Sequence, residues 1–455
     1  MLQTFRNAWR IEELRKKILF TLLIVLLYRL GNAVPVPFVD TNLLQQYFNS
    51  SNLQNTIFGL YNVMSGGAFS RATIFALSIQ PYINASIIIQ LLCIAIPALE
   101  RLQKEGGEEG RKKIASITRY STVVIGLIQG IAYYMMIRNY KLIDEAYLSN
   151  IWAAIVIILT FTSGSALIMW LGEQITEFGI GNGISIILFT SIVARFPTSV
   201  ATQITNVANG TLQWWLLLLM YLGALALIVL IVLVNDAERR IPVQYSKRVV
   251  GRKMYGGQTT HLPMKVNMSG VLPIIFAQSI ASLPATVCMF KASWQNSWLM
   301  TNVFNTDTWP YAVVYFLLII FFSYFYSTIQ FNPIEVANNL KKNGGFIPGF
   351  RAGKPTSDFI HKVLNKITLF GAIYLGIIAV TPIIIGAVSS ADALTGISLG
   401  GTSIIIVVGV ALETFRALEA QMLMRNYKGF LNLSGGICYE TRTVRRPRRR
   451  QGHAG

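Results

Sequence analysis

The chain has 455 residues, of which 53% are hydrophobic and only 13% are charged, and its mean hydropathy is +0.50. A soluble domain carries about 25% charged residues, so this composition excludes an ordinary soluble protein and indicates a polytopic membrane protein. The net charge of +19 predicts either a strong positive-inside bias or a docking surface for an anionic partner.

The first apolar segment, residues 18–30, follows a basic lead and is expected to be a first span. Next comes Ile57–Met64, about two amphipathic turns that are too short to cross a bilayer. Ser65-Gly66-Gly67 breaks this helix, and a helix of spanning length is predicted from about Thr73 to Pro97. Because several polar side chains lie inside that second span, one side of it must line protein or water and not lipid.

Apolar runs of spanning length recur to the end of the chain. Together with the first, they predict ten spans at residues 18–30, 73–97, 117–137, 151–172, 182–201, 212–235, 270–290, 309–330, 367–387 and 401–420. Alternate connections hold 33 of the 39 lysines and arginines, which predicts that both termini are cytosolic. Five spans on either side of the loop Thr205–Thr211 give halves of opposite orientation, and such halves place the functional path between them.

The centres of the predicted spans carry no Asp, Glu, Lys, Arg or His. This argues against an ion-coupled transporter, although sodium sites built from carbonyls and hydroxyls remain possible. A membrane-embedded hydrolase is disfavoured because none of the three histidines lies in a predicted span, where it could activate Ser163 or Ser165. These serines with Gly164 predict close helix packing instead. Gly179–Gly183 lacks the strand and lysine of a phosphate loop and predicts a turn that caps the fifth span. We expect no catalytic group, metal or cofactor.

Five motifs resemble the SecY family, the channel-forming subunits of bacterial protein translocases. In chain order they are SGGAFSRA (Ser65–Ala72) with the following PYINASIIIQLL, WLGEQITEFGIGNGISI (Trp170–Ile186), THLPMKVNMSGVLP (Thr260–Pro273), KKNGGFIPGFRAGKPT (Lys341–Thr356) and GGTSIIIVV (Gly400–Val408). The resemblance covers residues 1–431. It implies an all-α polytopic fold of ten transmembrane helices, in two inverted five-helix halves around a central pore with a lateral gate.

By this resemblance the chain translocates unfolded preproteins and releases signal or transmembrane segments into the plasma membrane. It is expected not to be an enzyme, and the alternative function is a ten-helix secondary transporter for small solutes. An aliphatic pore ring is implied at Ile83, Ile87, Leu188, Ile192, Ile275 and Ile406. A plug within residues 57–69 is implied at Ile57, Phe58, Tyr61, Asn62, Met64, Ser65, Gly66 and Gly67. Polar contacts across a lateral gate are implied between Ser86 or Gln90 and Gln278 or Ser279.

Two long cytosolic connections, residues 236–269 and 331–366, carry basic side chains, and Tyr245–Gly257 is predicted to form a β-hairpin. The resemblance implies that they bind the ATPase SecA and the ribosome through Arg239, Arg240, Lys247, Arg248, Arg252, Lys253 and Arg351. Other implied partners are SecE-type and SecG-type small subunits, preprotein signal sequences and membrane lipids. The expected location is the bacterial plasma (inner) membrane, with both termini cytosolic.

The expected domains are an N-terminal half at residues 1–204 and a C-terminal half at 205–431. Residues 432–455 form an arginine-rich tail that departs from the family, and we expect it to be disordered or non-native.

Overall fold

The computed structural model describes residues 6, 8–50, 57–143, 147, 150–210, 213–245, 248–250, 253–255, 259–268, 270–290, 298, 302–303, 308–388 and 401–437. Ten long helices dominate this part of the chain. They are α1 Glu12–Gly31, α4 Gln80–Ala95, α6 Gly107–Asn139, α7 Ile151–Phe178, α8 Gly183–Ala208, α9 Trp214–Asp236, α10 Leu272–Cys288, α11 Trp309–Gln330, α13 Lys354–Val388 and α14 Gly401–Ile437. The shorter helices are α2 Thr41–Ser50, α3 Ile57–Met64, α5 Pro97–Lys104 and α12 Pro333–Lys342.

Each long helix falls at one of the ten predicted spans. By length and composition, six of the described helical segments are long and apolar enough to cross a membrane. The pair α4–α5, bent by 106°, makes a seventh candidate, and α10 is apolar but has only 17 residues. These helices make the chain a multi-pass membrane protein.

The second span begins later than predicted. Residues 73–79 form turns, and the helix starts at Gln80 with Pro81 in its first turn, a position where the missing proline N–H costs no helical hydrogen bond. Backbone bonds hold the preceding segment against the end of α1, including Ile74 N to Val34 O at 3.0 Å. Ser78, with φ of 51°, adopts a left-handed conformation just before the helix.

The fifth span is longer than predicted. Helix α8 continues to Ala208, so the predicted loop Thr205–Thr211 and the expected domain boundary after residue 204 fall partly inside a helix. The hydroxyls of Thr202 and Thr205 donate to carbonyls one turn back, which lets these polar residues remain helical.

Two interpretations of small residues are confirmed. Asn182 caps α8 by accepting a hydrogen bond from Ile184 N at 3.0 Å, as expected for a capping turn. Gly164 of α7 packs directly against the carbonyl oxygen of Ile74, where any Cβ would collide with it. Close packing therefore accounts for Gly164. The segment packed against this glycine is the turn before α4, whereas the neighbouring Ser165 packs against Gly126 of α6.

The two long connections form one small unit, which we call the cytosolic unit after its predicted location. Strands β1 Glu238–Tyr245, β4 Thr259–Lys265 and β5 Gly345–Phe346 make an antiparallel sheet in the order β4-β1-β5, which joins both connections. The predicted hairpin is present as β2 Arg248–Val250 paired with β3 Lys253–Tyr255. Helix α13 begins at Lys354, well before the predicted residue 367. Its first turns pack on this sheet through Ile360 and Leu364.

A single large apolar cluster joins both halves of the chain and includes buried side chains from all ten long helices. Helix α9 contributes least among the described helices of spanning length, since Ile231 is its one buried residue. A helix whose apolar faces are almost all exposed must meet lipid or another membrane subunit.

Candidate functional site

The six aliphatic residues predicted as a pore ring are buried together, each no more than 4% exposed and all in the large apolar cluster. They lie on α4, α8, α10 and α14. Helix α4 contacts α10, and α8 contacts α14, so each contacting pair joins one helix from either half of the chain. The six side chains therefore lie where the two halves meet.

The helix α3 has the bounds predicted from the sequence, Ile57–Met64. It packs against α8 and α10, and its residues Tyr61, Asn62 and Met64 are buried. The side chains of Ile57 and Phe58 lie outside the described part of the structure. We call α3 the plug helix after its predicted role, which stays a prediction. Its position between helices of both halves is the one expected of a segment that closes a path between them.

Hydrogen bonds fix the plug helix to α10. The Tyr61 hydroxyl oxygen lies 3.2 Å from Ser282 Oγ and 2.9 Å from Thr286 Oγ1. Ser282 and Thr286 also donate to carbonyls of their own helix, so neither hydroxyl depends on Tyr61 alone. These two partners were missed by sequence reasoning. Their spacing from Ser279, three and seven residues on, places all three on one face of α10 and is the signal that identifies them.

The C-terminal end of the plug helix lies between α4 and α10. Gln80 Nε2 of α4 is 2.8 Å from Met64 Sδ, and Gln278 Nε2 of α10 is 3.3 Å from the same sulfur. Ser78 Oγ donates to the Met64 carbonyl at 3.3 Å. One methionine thus contacts both helices of the predicted lateral gate.

The glycine break after the plug helix is a hydrogen-bonded turn. Gly66 and Gly67 have φ of 68° and 89°, a region where a side chain would be strained. Ser65 Oγ accepts from Phe69 N at 3.0 Å, and Asn62 Oδ1 accepts from Ser70 N at 3.1 Å. The interpretation of this break as a hinge stays a prediction. Motion about it would require these bonds to break.

The predicted polar contacts across the lateral gate are not made in this structure. Gln278 and Ser279 are buried, but Gln278 Oε1, Ser279 Oγ and Gln90 Oε1 have no hydrogen-bond partner in the described part of the chain. The donor end of Gln278 turns to Met64 instead. The physical reason is the position of the plug helix, because its Met64 accepts from the Gln278 amide that was expected to donate to a side chain of α4. The side chain of Ser86 is half-buried. The gate assignment itself stays a prediction.

Comparison with known proteins decides the family. The family model SecY matches residues 73–415. The chain belongs to the SecY family. It is 44% identical over 443 residues to the protein translocase subunit SecY of Streptomyces scabiei, and the match covers 95% of this chain and 100% of that protein.

Solved structures agree with the family. One described as the structure of a protein conducting channel aligns with a TM-score of 0.64 at 16% identity, covering 90% of this chain and 92% of the other. Sec61 from the canine ribosome–channel complex of the endoplasmic reticulum aligns with a TM-score of 0.59 at 14% identity, with the same coverage. The SecY-family fold, with ten helices in two halves, is therefore the fold of this chain.

Those basic residues predicted for docking that the structure describes lie on the cytosolic unit of this SecY-family chain. Arg239 and Arg240 are exposed on β1, and Arg240 Nε pairs with Glu238 Oε1 at 2.7 Å. Arg351 is exposed at the tip of the second connection. Arg248 and Lys253 lie on β2 and β3, but their side chains, and all of Lys247 and Arg252, lie outside the described part.

Proposed function

We propose that this chain forms a protein-conducting channel. It moves unfolded preproteins across the membrane and releases signal or transmembrane segments sideways into lipid. The observation that carries the proposal is the seating of the plug helix, because Tyr61 and Met64 bind both gate helices beside the buried aliphatic ring. The alternative of a small-solute transporter finds no support in the comparisons.

The aliphatic ring suits a path for chains of any sequence. A conduit for unfolded protein has to accept every side chain without holding one type strongly. Branched aliphatic side chains such as Ile83, Leu188 and Ile406 offer no hydrogen bonds to a passing chain. When the path is empty, a dry constriction of this kind opposes ions and water by dewetting.

The seam between α4 and α10 suits sideways release. An apolar signal helix must leave the path for lipid, so the contacts that close the seam have to be weak. Hydrogen bonds between membrane helices contribute about 0.6 kcal/mol each. Contacts such as those of Gln80 and Gln278 with Met64 would then yield to an entering helix without a large cost.

We further propose that the cytosolic unit binds SecA and the ribosome. ATP hydrolysis by SecA, or protein synthesis by the ribosome, supplies the driving force. The canine relative solved in a ribosome–channel complex supports the ribosome as a partner. The exposed face of α9 would take lipid or a small SecE-type or SecG-type subunit. The bacterial relative and the charge bias support a bacterial plasma membrane location with cytosolic termini.

Reconstitution tests the channel directly. Liposomes with this chain, a SecE-type subunit, SecA, ATP and a preprotein should give protease-protected preprotein, and omission of ATP should abolish the protection. Uptake of small solutes with no protected preprotein would support the transporter instead. Copurification of a small SecE-like helical subunit from native membranes is a second, independent readout.

Changing Arg351 to glutamate should impair SecA-driven export. The tip that carries it is held in place, because Phe350 stacks on Phe359 with ring centroids 4.3 Å apart and Thr356 Oγ1 donates to the Arg351 carbonyl at 2.7 Å. A charge reversal on a fixed, exposed tip should weaken a charged interface by about tenfold or more, the effect of about 1.4 kcal/mol. The measurement is the initial rate of protease-protected preprotein.

Lys112→Glu is the matched control, because Lys112 is an exposed lysine at the cytosolic end of α6 and outside both connections. It should leave the export rate near that of the parent. Normal export by Arg351→Glu, with the purified variant folded as judged by its melting, would remove the loop tip from the SecA interface.

A further inference from the structure

A cavity of about 300 Å³ lies beside the glycine break, on the side of the molecule that the charge bias predicts to be external. Three of the elements in its wall carry an arginine: the end of α1 with Arg29, the segment after the plug helix with Arg71, and the outer part of α8 with Arg195. Gln45 of α2 and Asn62 of the plug helix also line it. Asn62 is a predicted plug residue, whereas the three arginines belong to none of the predicted ring, plug or gate sets.

The three arginines bring positive charge to the cavity without compensation. No ion pair or hydrogen bond joins their guanidinium groups to another side chain in the described ranges, and no described acidic residue lines the cavity. Arg29 and Arg195 are half-buried, and Arg71 is exposed at the rim. Like charges that line one cavity repel one another, so an anion bound among them would be stabilised.

Asn62 adds a neutral donor to the same cavity. Its side chain is more than nine-tenths buried, and its Oδ1 is occupied as the acceptor for Ser70 N. Its Nδ2 makes no hydrogen bond to any residue in the part of the chain that the structure describes, and the residue lines the cavity. Three guanidinium groups and an amide nitrogen therefore supply donors to the cavity, and the side-chain acceptors that line it, Gln45, Ser70 and Thr198, are neutral.

We propose that this cavity binds a phosphate-class oxyanion, either free or as the headgroup of a lipid, and that the anion bridges α1, α8 and the segment around the glycine break. Guanidinium forks match the oxygens of a tetrahedral oxyanion better than they match a spherical halide. Because Asn62 and Arg71 lie on either side of the glycine break, the bound anion restrains that break and holds the plug helix in its seat. This last consequence rests on the proposed channel function, whereas the binding does not.

The test uses the full chain, purified in detergent and stripped of lipid. Inorganic phosphate is titrated in while chloride keeps the ionic strength constant, binding is followed by calorimetry, and hydrogen exchange is measured at the amides of residues 57–72. We expect saturable binding and slower exchange at those amides. An equal effect of chloride would show general screening and would overturn the proposal.

Arg195→Gln should weaken phosphate binding by about tenfold or more, the loss expected for a charge-assisted hydrogen bond. The variant should also melt at a higher temperature than the parent in the absence of phosphate, because it removes one of the three like charges that line the same cavity. Arg195→Lys keeps the charge but loses the forked guanidinium group, so its affinity for phosphate should lie between those of the parent and Arg195→Gln. Arg138→Gln removes an exposed arginine at the end of α6, outside the cavity, and should bind like the parent.

Lipid nanodiscs identify the source of the oxyanion. If a headgroup fills the cavity, phosphatidylglycerol should protect residues 57–72 without added phosphate, and Arg195→Gln should lose that protection. If the anion is free, protection should require phosphate in every lipid. Protection in neither arm, or equal protection in Arg195→Gln, would overturn the site. Arginine-dependent binding by a chain that fails to protect preprotein in liposomes would retain the site and reject the channel.

Discussion

Replacing Ile406 by asparagine should let preproteins with defective signal sequences pass. Ile406 is 1% exposed and lies in the apolar cluster with the five other predicted ring residues. An amide without a partner in such a place costs about 1–3 kcal/mol and attracts water, so the closed state loses stability relative to the open one. Since about 1.4 kcal/mol corresponds to a factor of ten, we expect translocation of signal-defective substrates to rise roughly tenfold. The measurement is protease protection of matched preproteins with intact and defective signals.

The matched control is Ile157→Asn in α7. Ile157 is completely buried in the same cluster but is not a predicted ring residue, so the substitution carries the same chemistry and the same loss of packing. It should lower the melting temperature without changing the discrimination between signals. If both variants pass defective substrates equally, general loosening is responsible and the ring assignment fails. Ile406→Leu, which keeps the apolar volume, should retain discrimination.

Local features were predicted well from the sequence because they depend on neighbouring residues. The plug helix has the predicted bounds, because a short amphipathic run is followed by two glycines. Glycine accommodates the positive φ that ends the helix there. The hairpin of β2 and β3 and the capping role of Asn182 are also local. The ten helices follow from the apolar runs, and their arrangement in two halves follows from the family resemblance as well as from the charge bias.

Features that depend on distant residues were missed. Residues 73–79 look apolar enough to be helical, yet their backbone is bound to the end of α1 and packed on Gly164 of α7. Tyr61 and Thr286 are 225 positions apart, so no local pattern could pair them. Arg29, Arg71 and Arg195 each look like an ordinary arginine at an outer helix end or loop. The cavity that they share exists only after α1, α8 and the plug segment have packed.

The gate illustrates the same limit. Sequence reasoning placed Gln278 opposite α4 but expected it to bind Ser86 or Gln90. In the structure it contacts Met64 at the C-terminal end of the plug helix, which reaches both predicted gate helices. A residue on a predicted gate helix was therefore given the wrong partner. The missing information was the position of a third element.

Replacing Tyr61 by phenylalanine should unseat the plug helix in part and raise the ionic conductance of the idle channel. The substitution removes hydrogen bonds to Ser282 and Thr286 but keeps the ring that stacks on Phe69 at 5.9 Å. Ser282 and Thr286 keep bonds within their own helix, so no buried hydroxyl is orphaned. Because both partners use their own protons within α10, the single Tyr61 proton makes one net hydrogen bond, whose loss of about 1 kcal/mol shifts the plug equilibrium by roughly fivefold.

The measurement is resting conductance in planar bilayers, without SecA or substrate. Tyr221→Phe is the matched control, because its hydroxyl donates to Gln203 Oε1 at 2.7 Å on α8 and α9, away from the plug helix. It removes the same group without touching the plug. Equal conductance of parent, Tyr61→Phe and Tyr221→Phe would mean that Tyr61 does not hold the plug. A rise in Tyr61→Phe alone would place the closing energy in the contact between the plug helix and α10, the helix that lines one side of the predicted gate. An incoming signal helix that parts α10 from α4 would then release the plug by the same movement, since Tyr61 and Met64 both bind α10.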